Sequence, residues 1–209
     1  MRNTLWMLAS LALLGCGGSS GGGSDDDGIP PLPEPSGALQ EGRYQPLGDD
    51  QAILLDTYTQ LAWQRCPQGM NWNKATLQCD GAANSYSWND AVAIELEGFR
   101  LPTVDELASL VYCSDSHQAA ADIGTNILGA GCSEQAQSPM IKSAQFPAIT
   151  QRTYWTRSAS LSNSASKLGI NFAFGRVSDF NAVDASYPVL LVRDASQEIS
   201  DEVSQGQGS

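Results

Sequence analysis

The residues with the clearest capacity for chemistry are five cysteines, Cys16, Cys66, Cys79, Cys113 and Cys132. No two of them form a C-x-x-C pair, and none has a histidine at the spacing of a zinc site. If one cysteine carries a lipid, four remain, and four cysteines in an exported chain indicate two disulfides. Of the three pairings open to them, we favour Cys66–Cys79 and Cys113–Cys132, because each of these pairs brackets a turn-rich loop.

Cys16 ends a segment that is typical of a lipoprotein signal peptide. Arg2 supplies a positive start, residues 5–14 form an apolar run broken only by Ser10, and residues 13–16, Leu-Leu-Gly-Cys, resemble a lipobox. The run is shorter than the roughly 20 residues of a membrane-spanning helix. We therefore predict a signal peptide over 1–15 and lipidation of Cys16, palmitate included. The alternative is an ordinary secretory signal followed by a chance cysteine.

The composition divides the rest of the chain into three parts. Residues 17–24 are only Gly and Ser, Asp25 to Asp27 add charge, and four prolines fall within residues 30–35, so none of this stretch can bury a core. We assign 16–40 to a lipidated spacer, 41–195 to one domain and 196–209 to a disordered acidic tail. In bacterial lipoproteins, which this segment resembles, Gly17 rather than Asp beside the lipidated cysteine implies delivery to the outer membrane of the cell envelope.

The charge of the chain limits the partners that it can bind. The net charge is -12, and an acidic surface repels nucleic acids and anionic lipid headgroups unless a local basic patch overcomes that background. We therefore expect no nucleic-acid partner. The expected partners are the membrane, through the lipid, and a glycan, an envelope protein or a second copy of the chain.

The single histidine, His117, is the residue on which a Ser-His-Asp or Cys-His site would depend. It lies in a polar loop between two cysteines that we expect to be bonded, and the chain has no G-x-S-x-G turn. We therefore predict a solvated loop residue, no catalytic residues and no enzyme activity. His117 and Asp115 together are too few ligands for a metal, so no metal or cofactor is expected.

Two further motifs have a structural and a functional interpretation. Trp88-Asn89-Asp90 is similar to the W-N-D strand of calcium-dependent lectins, but no E-P-N or Q-P-D partner is present, so capping and core packing explain it better. Arg100 could bind an anionic group, yet pairing with a carboxylate is the commoner role of such a residue.

The candidate ligand-binding residues are one tryptophan and three arginines: Trp72, Arg152, Arg157 and Arg176. Trp72 lies in the Cys66–Cys79 loop, and its ring could stack on a sugar. Trp63 and Trp155 could join such a surface, but core packing is the commoner outcome. The arginines would form an anionic-ligand patch if the fold gathers them, and otherwise stay solvated.

Local patterns predict an α+β domain with two helices and several short strands. One helix is expected to begin at the cap Ser87 and to end at Gly98, with Trp88, Ala91, Val92 and Leu96 on its apolar stripe. A second begins at the capping box Thr103 to Glu106, with Leu107, Leu110 and Val111 buried. The expected strands are residues 53–58, 61–64, 153–157, 168–174 and 189–193, with Leu168, Ile170, Phe172 and Phe174 on one buried face.

Residues 56–66 are D-T-Y-T-Q-L-A-W-Q-R-C, and residues 86–107 contain Y-S-W-N-D-A and then G-F-R-L-P-T-V-D-E-L. These segments resemble the Lcl C-terminal domain family, whose opening signature is D-x-x-T-G-L-x-W-x-R-C and whose centre is Y-T-W-x-x-A followed by G-x-R-L-P-T-x-x-E-L. Residues 146–147, 154–158, 172–175 and 191–193 follow in the family order. Gln60 stands where the family usually has Gly, and Arg157 where it usually has Ser.

The resemblance implies a C-type-lectin-like or formylglycine-generating-enzyme-like fold on a surface-displayed protein. The best-known member adheres to sulfated glycosaminoglycans and forms a trimer, but residues 41–195 hold 10 basic and 16 acidic residues, so we carry over the fold and a general adhesion-type role, carbohydrate binding included, without that ligand. The alternatives are an assembly component of an envelope complex and an enzyme related to formylglycine-generating proteins.

Overall fold

The computed structural model describes residues 42–114, 131–160, 163, 165–181 and 185–195. Within them the chain forms two short helices and eleven strands, in the order β1 Tyr44–Leu47, β2 Ile53–Asp56, β3 Leu61–Gln64, β4 Met70–Asn73, β5 Gln78–Gly81, α1 Trp88–Val92, β6 Glu95–Leu96, β7 Phe99–Arg100, α2 Val104–Ala108, β8 Thr153–Ala159, β9 Ser166–Asn171, β10 Arg176–Asn181 and β11 Val192–Asp194. Every described strand pair is antiparallel. The predicted α+β class is therefore confirmed.

The described strands form three sheets. Six strands make the largest, in the order β1-β2-β3-β11-β7-β6, and the others are β10-β9-β8 and β4-β5. The last of the described strands, β11, pairs with β3 on one side and β7 on the other. The C-terminal end of the domain is thus built into the centre of the largest sheet.

Side chains from the large sheet, the three-stranded sheet and α2 share the main core. Its largest fully buried members include Trp63, Leu107, Phe146, Tyr154 and Phe172. A second cluster surrounds Trp155 and contains Ala91, Phe99, Leu101, Val189 and Leu191. The sheets and α2 therefore bury apolar side chains at both clusters, which is the main source of folding free energy in a domain of this size.

The helix starts agree with the sequence prediction, but the end of α1 does not. Ser87 caps α1, and Thr103 and Glu106 form the predicted capping box of α2. The predicted helix beyond Val92 is wrong, because residues 95–96 pair with residues 99–100 as a hairpin. Glu97 and Gly98 have φ values of 51° and 79°, as a two-residue type I′ turn requires, and Leu96 is exposed.

Two other expectations are corrected in the strands. Phe174 does not continue the buried face of β9, because that strand ends at Asn171 and Phe174 lies in the following turn, 52% exposed. Residues 189–191 are buried but precede β11.

The turn between β2 and β3 contains Gln60 at φ 57°, which is the left-handed conformation that glycine favours. The N–H of Gln60 donates to the carbonyl of Asp56.

The two disulfides have the sequential pairing that we favoured. Cys66 is bonded to Cys79, and Cys113 to Cys132. The first joins the segment after β3 to β5, and the second joins the segment after α2 to a loop that contacts the β9–β10 turn. Among the described residues no helix has the length and apolar character that crossing a membrane requires.

Candidate ligand-binding site

The turn between β9 and β10 is held by hydrogen bonds that Asn171, the last residue of β9, accepts from the turn. The carbonyl of Asn171 accepts from the N–H groups of Phe174 (3.2 Å) and Gly175 (2.8 Å), and its side-chain Oδ1 accepts from Ala173 N–H (2.9 Å). Gly175 has φ 64°, and a Cβ there would stand 2.8 Å from Cys132 Sγ and 2.8 Å from Val111 Cγ1. Both its φ and its close packing therefore favour glycine.

The Cys113–Cys132 disulfide connects this turn to the rest of the domain. Cys132 N–H donates to the carbonyl of Phe174 (2.8 Å), and Met140 N–H donates to that of Phe172 (2.7 Å). Tyr112, next to Cys113, donates its N–H to the carbonyl of Met140 (3.0 Å). Three chain segments are thus fastened together at one end of the three-stranded sheet.

Aromatic rings and cations are paired at this end. The guanidinium carbon of Arg176 lies 4.9 Å from the ring centroid of Phe174, and Lys142 Nζ lies 3.7 Å from that of Tyr112. Phe174 and Arg176 are exposed, whereas Tyr112 and Lys142 are partly buried. An exposed pair such as Phe174 with Arg176 contributes about 0.5–1 kcal/mol, which favours the observed orientation of the Phe174 ring.

Strand register places the backbone of Arg152, but not that of Arg157, at this end of the sheet. Arg176 is aligned with Asn171, and Asn171 with Thr153. Arg152 directly precedes Thr153, and its carbonyl accepts from Phe172 N–H at 3.0 Å. Arg157 is four residues further along β8, or roughly 13 Å at the usual rise per residue. The register therefore brings the backbone of Arg152 to the end of the sheet that holds Arg176 and leaves Arg157 further along β8.

We call this group the hairpin-tip site; its residues are Tyr112, Lys142, Arg152, Phe174 and Arg176. It carries three cations, and the exposed carboxylate of Glu134 follows Cys132 by two residues. Sequence reasoning missed Tyr112, Lys142 and Phe174. The pairing of Tyr112 with Lys142 spans 30 residues and has no local signal, whereas Gly175, directly after Phe174, is a turn signal.

Trp72 belongs to a different surface. Its ring centroid lies 3.9 Å from the guanidinium carbon of Arg65, and its Nε1 donates to the carbonyl of Asp50 at 3.0 Å. Burial lowers the pKa of Arg65, whose Nε donates to the carbonyl of Gln145 at 3.2 Å. Trp72 remains partly exposed, but these contacts also fasten the β4–β5 hairpin to the domain.

The other two tryptophans considered as candidates are buried. Trp63 and Trp155 are both 0% exposed and belong to the two core clusters. Core packing, the commoner outcome, is therefore confirmed for both. Neither ring is available to stack on a ligand.

Arg100 has the predicted carboxylate partner. Its Nη1 and Nη2 donate to Glu106 Oε2 (2.8 Å) and Oε1 (2.7 Å), and Asp194 Oδ1 lies 3.6 Å from Nη2. Burial alone would raise the pKa of Glu106, but the bonds from Arg100 and from Thr103 N–H outweigh it and lower that pKa. Arg100 therefore joins β7, α2 and β11.

The W-N-D triplet lies at the start of α1, as predicted. Trp88 Nε1 donates to the carbonyl of Thr156 at 2.8 Å, and Ser87 Oγ donates to Asp90 Oδ2 at 2.6 Å. These bonds explain the triplet by capping and packing. Cys16, Asp115 and His117 lie outside the described residues, and within those residues no three His, Cys, Asp or Glu side chains are placed to hold a metal.

Comparison with known families gives one match. The family model described as the Lcl C-terminal domain matches residues 52–193. The matched range contains all five residues of the hairpin-tip site and both disulfides. Neither the curated proteins nor the solved structures contain a match.

Proposed function

Because this chain belongs to the Lcl C-terminal domain family, we propose that it is a cell-envelope lipoprotein whose domain binds a ligand without catalysing a reaction. The lipid on Cys16 anchors it in the outer membrane, and the domain has an adhesion-type role towards a glycan or an envelope protein. Its fold is a variant of the C-type-lectin-like and formylglycine-generating-enzyme-like folds.

The use of the cysteines is the observation that carries the proposal. Four of the five are bonded in pairs within the domain. Disulfides persist in oxidising compartments outside the cytosol. The fifth, Cys16, follows an apolar run of signal-peptide length. In this proposal every cysteine of the chain has a role: four form disulfides after export, and Cys16 carries the lipid.

Mass spectrometry of the full chain purified from bacterial membranes tests the anchor. We expect a mature N-terminus at Cys16 that carries acyl chains, and loss of membrane association in Cys16→Ala. A chain that keeps Met1 and has reduced, unmodified cysteines would contradict the proposal. Titration of the native protein should find no free thiol, whereas a free thiol would favour the enzyme alternative.

The hairpin-tip site supports ligand binding at a defined place. Exposed Phe174 and Arg176 lie in contact on a turn that Gly175 and a disulfide support, and Lys142 lies over the ring of Tyr112 next to that disulfide. A preorganised aromatic and cationic surface binds with less ordering cost than a mobile one. It fits a ligand that offers both an anionic group and an apolar face.

A glycan array with the exported, unlipidated chain tests where a ligand binds. Arg176→Ala should weaken binding by tenfold or more if two charge-assisted hydrogen bonds are lost. Arg157→Ala is the matched control, and Trp72→Ala tests the other candidate surface. Loss of binding in Trp72→Ala alone would move the site to the β4–β5 hairpin. A stable complex with one envelope protein, without glycan binding, would favour the assembly role.

A further inference from the structure

We propose that the hairpin-tip site docks the domain on the phosphate headgroups of a phospholipid bilayer, the membrane that carries its own lipid anchor. This inference rests on the proposed lipid anchoring and names the partner of the site. It differs from anchoring itself, because it concerns a second, reversible contact made by folded residues of the domain.

The exposed ring is the first reason. Phe174 is 52% exposed, the most exposed aromatic side chain among the described residues. It lies in a tight turn whose backbone is held by Asn171, Gly175 and the Cys113–Cys132 disulfide. A fixed apolar ring at the tip of a hairpin can enter the boundary between headgroups and acyl chains without bringing polar backbone with it.

The position of the cations is the second reason. Arg176 lies 4.9 Å from the Phe174 ring centroid, and a long side chain beside an inserted ring can keep its charge at the level of the phosphates. Arg152 precedes β8, and its carbonyl accepts from Phe172 N–H at 3.0 Å, whereas Lys142 Nζ lies 3.7 Å from the Tyr112 ring centroid. Arg176 is therefore the cation in direct contact with the exposed ring, and the chain segments of Arg152 and Lys142 adjoin the turn.

The acidic balance of the domain does not prevent this contact. At physiological ionic strength charges are screened beyond about 8 Å, so the acidic residues far from the tip contribute little at the membrane. Arg43 and Arg100 are paired with Asp56 and Glu106 and are not available. Within the part of the chain that the structure describes, Arg152, Arg176 and Lys142 form no ion pair.

The anchor makes a weak contact sufficient. Gly42 follows Cys16 by 26 residues, and a chain of that length reaches at most about 90 Å when fully extended. A lipid on Cys16 therefore confines the domain near the membrane, at an effective concentration that can reach the millimolar range. A site of modest intrinsic affinity is then occupied for much of the time.

The test measures binding of residues 17–209, exported without a lipid, to sedimented vesicles. One set contains phosphatidylethanolamine and phosphatidylglycerol in a ratio of three to one, and the other only phosphatidylcholine. Phe174→Ala and Arg176→Gln are the test variants. Leu96→Ala, which removes another exposed apolar side chain, and Arg157→Gln, another exposed arginine on the same sheet, are the matched controls.

We expect binding to the anionic vesicles, a reduction of about fivefold in Arg176→Gln and one of similar size in Phe174→Ala, with less than twofold change in either control. Phe174→Trp should keep binding, because Trp also partitions to the membrane interface. High salt should weaken binding of the parent chain.

Three outcomes would overturn the docking proposal. They are equal binding to both vesicle types, equal losses in test and control variants, and absence of binding by a chain whose full-length form carries lipid on Cys16. If Phe174→Ala lowers the melting temperature, Arg176→Gln decides. An unmodified Cys16 would instead overturn the anchor, and a glycan that Arg176→Ala alone releases would assign the site to that glycan.

Discussion

At the scale of single residues, the most demanding interaction is the buried pair of Arg43 and Asp56. Asp56 is 0% exposed and accepts hydrogen bonds from Arg43 Nε (2.9 Å) and from Tyr58 N–H (3.0 Å). Arg43 Nη2 also donates to the carbonyl of Ser109 at 2.9 Å. The pair thus links β1 and β2 to the end of α2, and among the described residues neither charge forms a second ion pair.

Asp56→Asn should lower the free energy of unfolding by about 3–5 kcal/mol, because it leaves the guanidinium of Arg43 buried without a counter-charge. Urea denaturation with the disulfides intact measures the change. Asp49→Asn removes an exposed carboxylate and should change the free energy by no more than about 0.5 kcal/mol. Equal effects of the two substitutions would mean that the pair is not essential.

Comparison of Gly175→Ala with Gly48→Ala separates the cost of backbone strain from the cost of close packing. The first substitution combines a φ of 64° with Cβ contacts at 2.8 Å, and we expect a loss of about 2–4 kcal/mol in thermal or urea unfolding. Gly48→Ala is the control, since its φ is 67° but its nearest contact, Asp50 Oδ1, is 3.6 Å away. That variant should lose only about 1 kcal/mol; a similar loss in both would show that packing at Gly175 contributes nothing.

At the scale of elements, the sequence predicted the features that depend on interactions within one turn of the chain, and missed those that depend on distant segments. The start of α2 was predictable because Thr103 and Glu106 satisfy each other's backbone donors within one turn. The end of α1 was not, since it depends on the pairing of β6 with β7. The position of β11 between β3 and β7 depends on contacts across more than 90 residues, and the hairpin-tip site on a similar convergence of distant segments.

The α2 capping box makes part of the stability depend on pH. The pKa of Glu106 is lower in the folded chain than its usual value because of Arg100 and Thr103, despite the opposing effect of burial. A carboxylate whose pKa falls on folding stabilises the fold above its unfolded pKa, about 4.3, and this contribution is lost as the pH falls through the folded pKa. We expect stability to decrease below about pH 4.

Glu106→Gln isolates that contribution. The amide can still accept from Thr103 N–H but carries no charge for Arg100, so the variant should be less stable at pH 6 and close to the parent chain at pH 3. Urea unfolding at both pH values measures the difference. Glu134→Gln, at an exposed position, is the control; an unchanged gap between parent and Glu106→Gln at the two pH values would contradict this assignment.

At the scale of the whole molecule, the two disulfides have similar loops but hold different surfaces. Their cysteines are 13 and 19 residues apart, and the chain-entropy model gives each bridge a stabilisation of about 3 kcal/mol. The Cys66–Cys79 bridge supports the hairpin that carries Trp72, whereas Cys132 of the other bridge donates directly to the carbonyl of Phe174. Their effects on stability should therefore be alike and their effects on binding different.

The double variants Cys66→Ser with Cys79→Ser, and Cys113→Ser with Cys132→Ser, make this distinction measurable. Each should lose about 3 kcal/mol of unfolding free energy, as measured in urea. At a temperature where both remain folded, only the second should lose binding to anionic vesicles, because only that bridge holds the backbone under Phe174. Equal retention of binding in both would mean that the tip does not need the bridge, and loss in the first alone would transfer the membrane contact to the surface around Trp72.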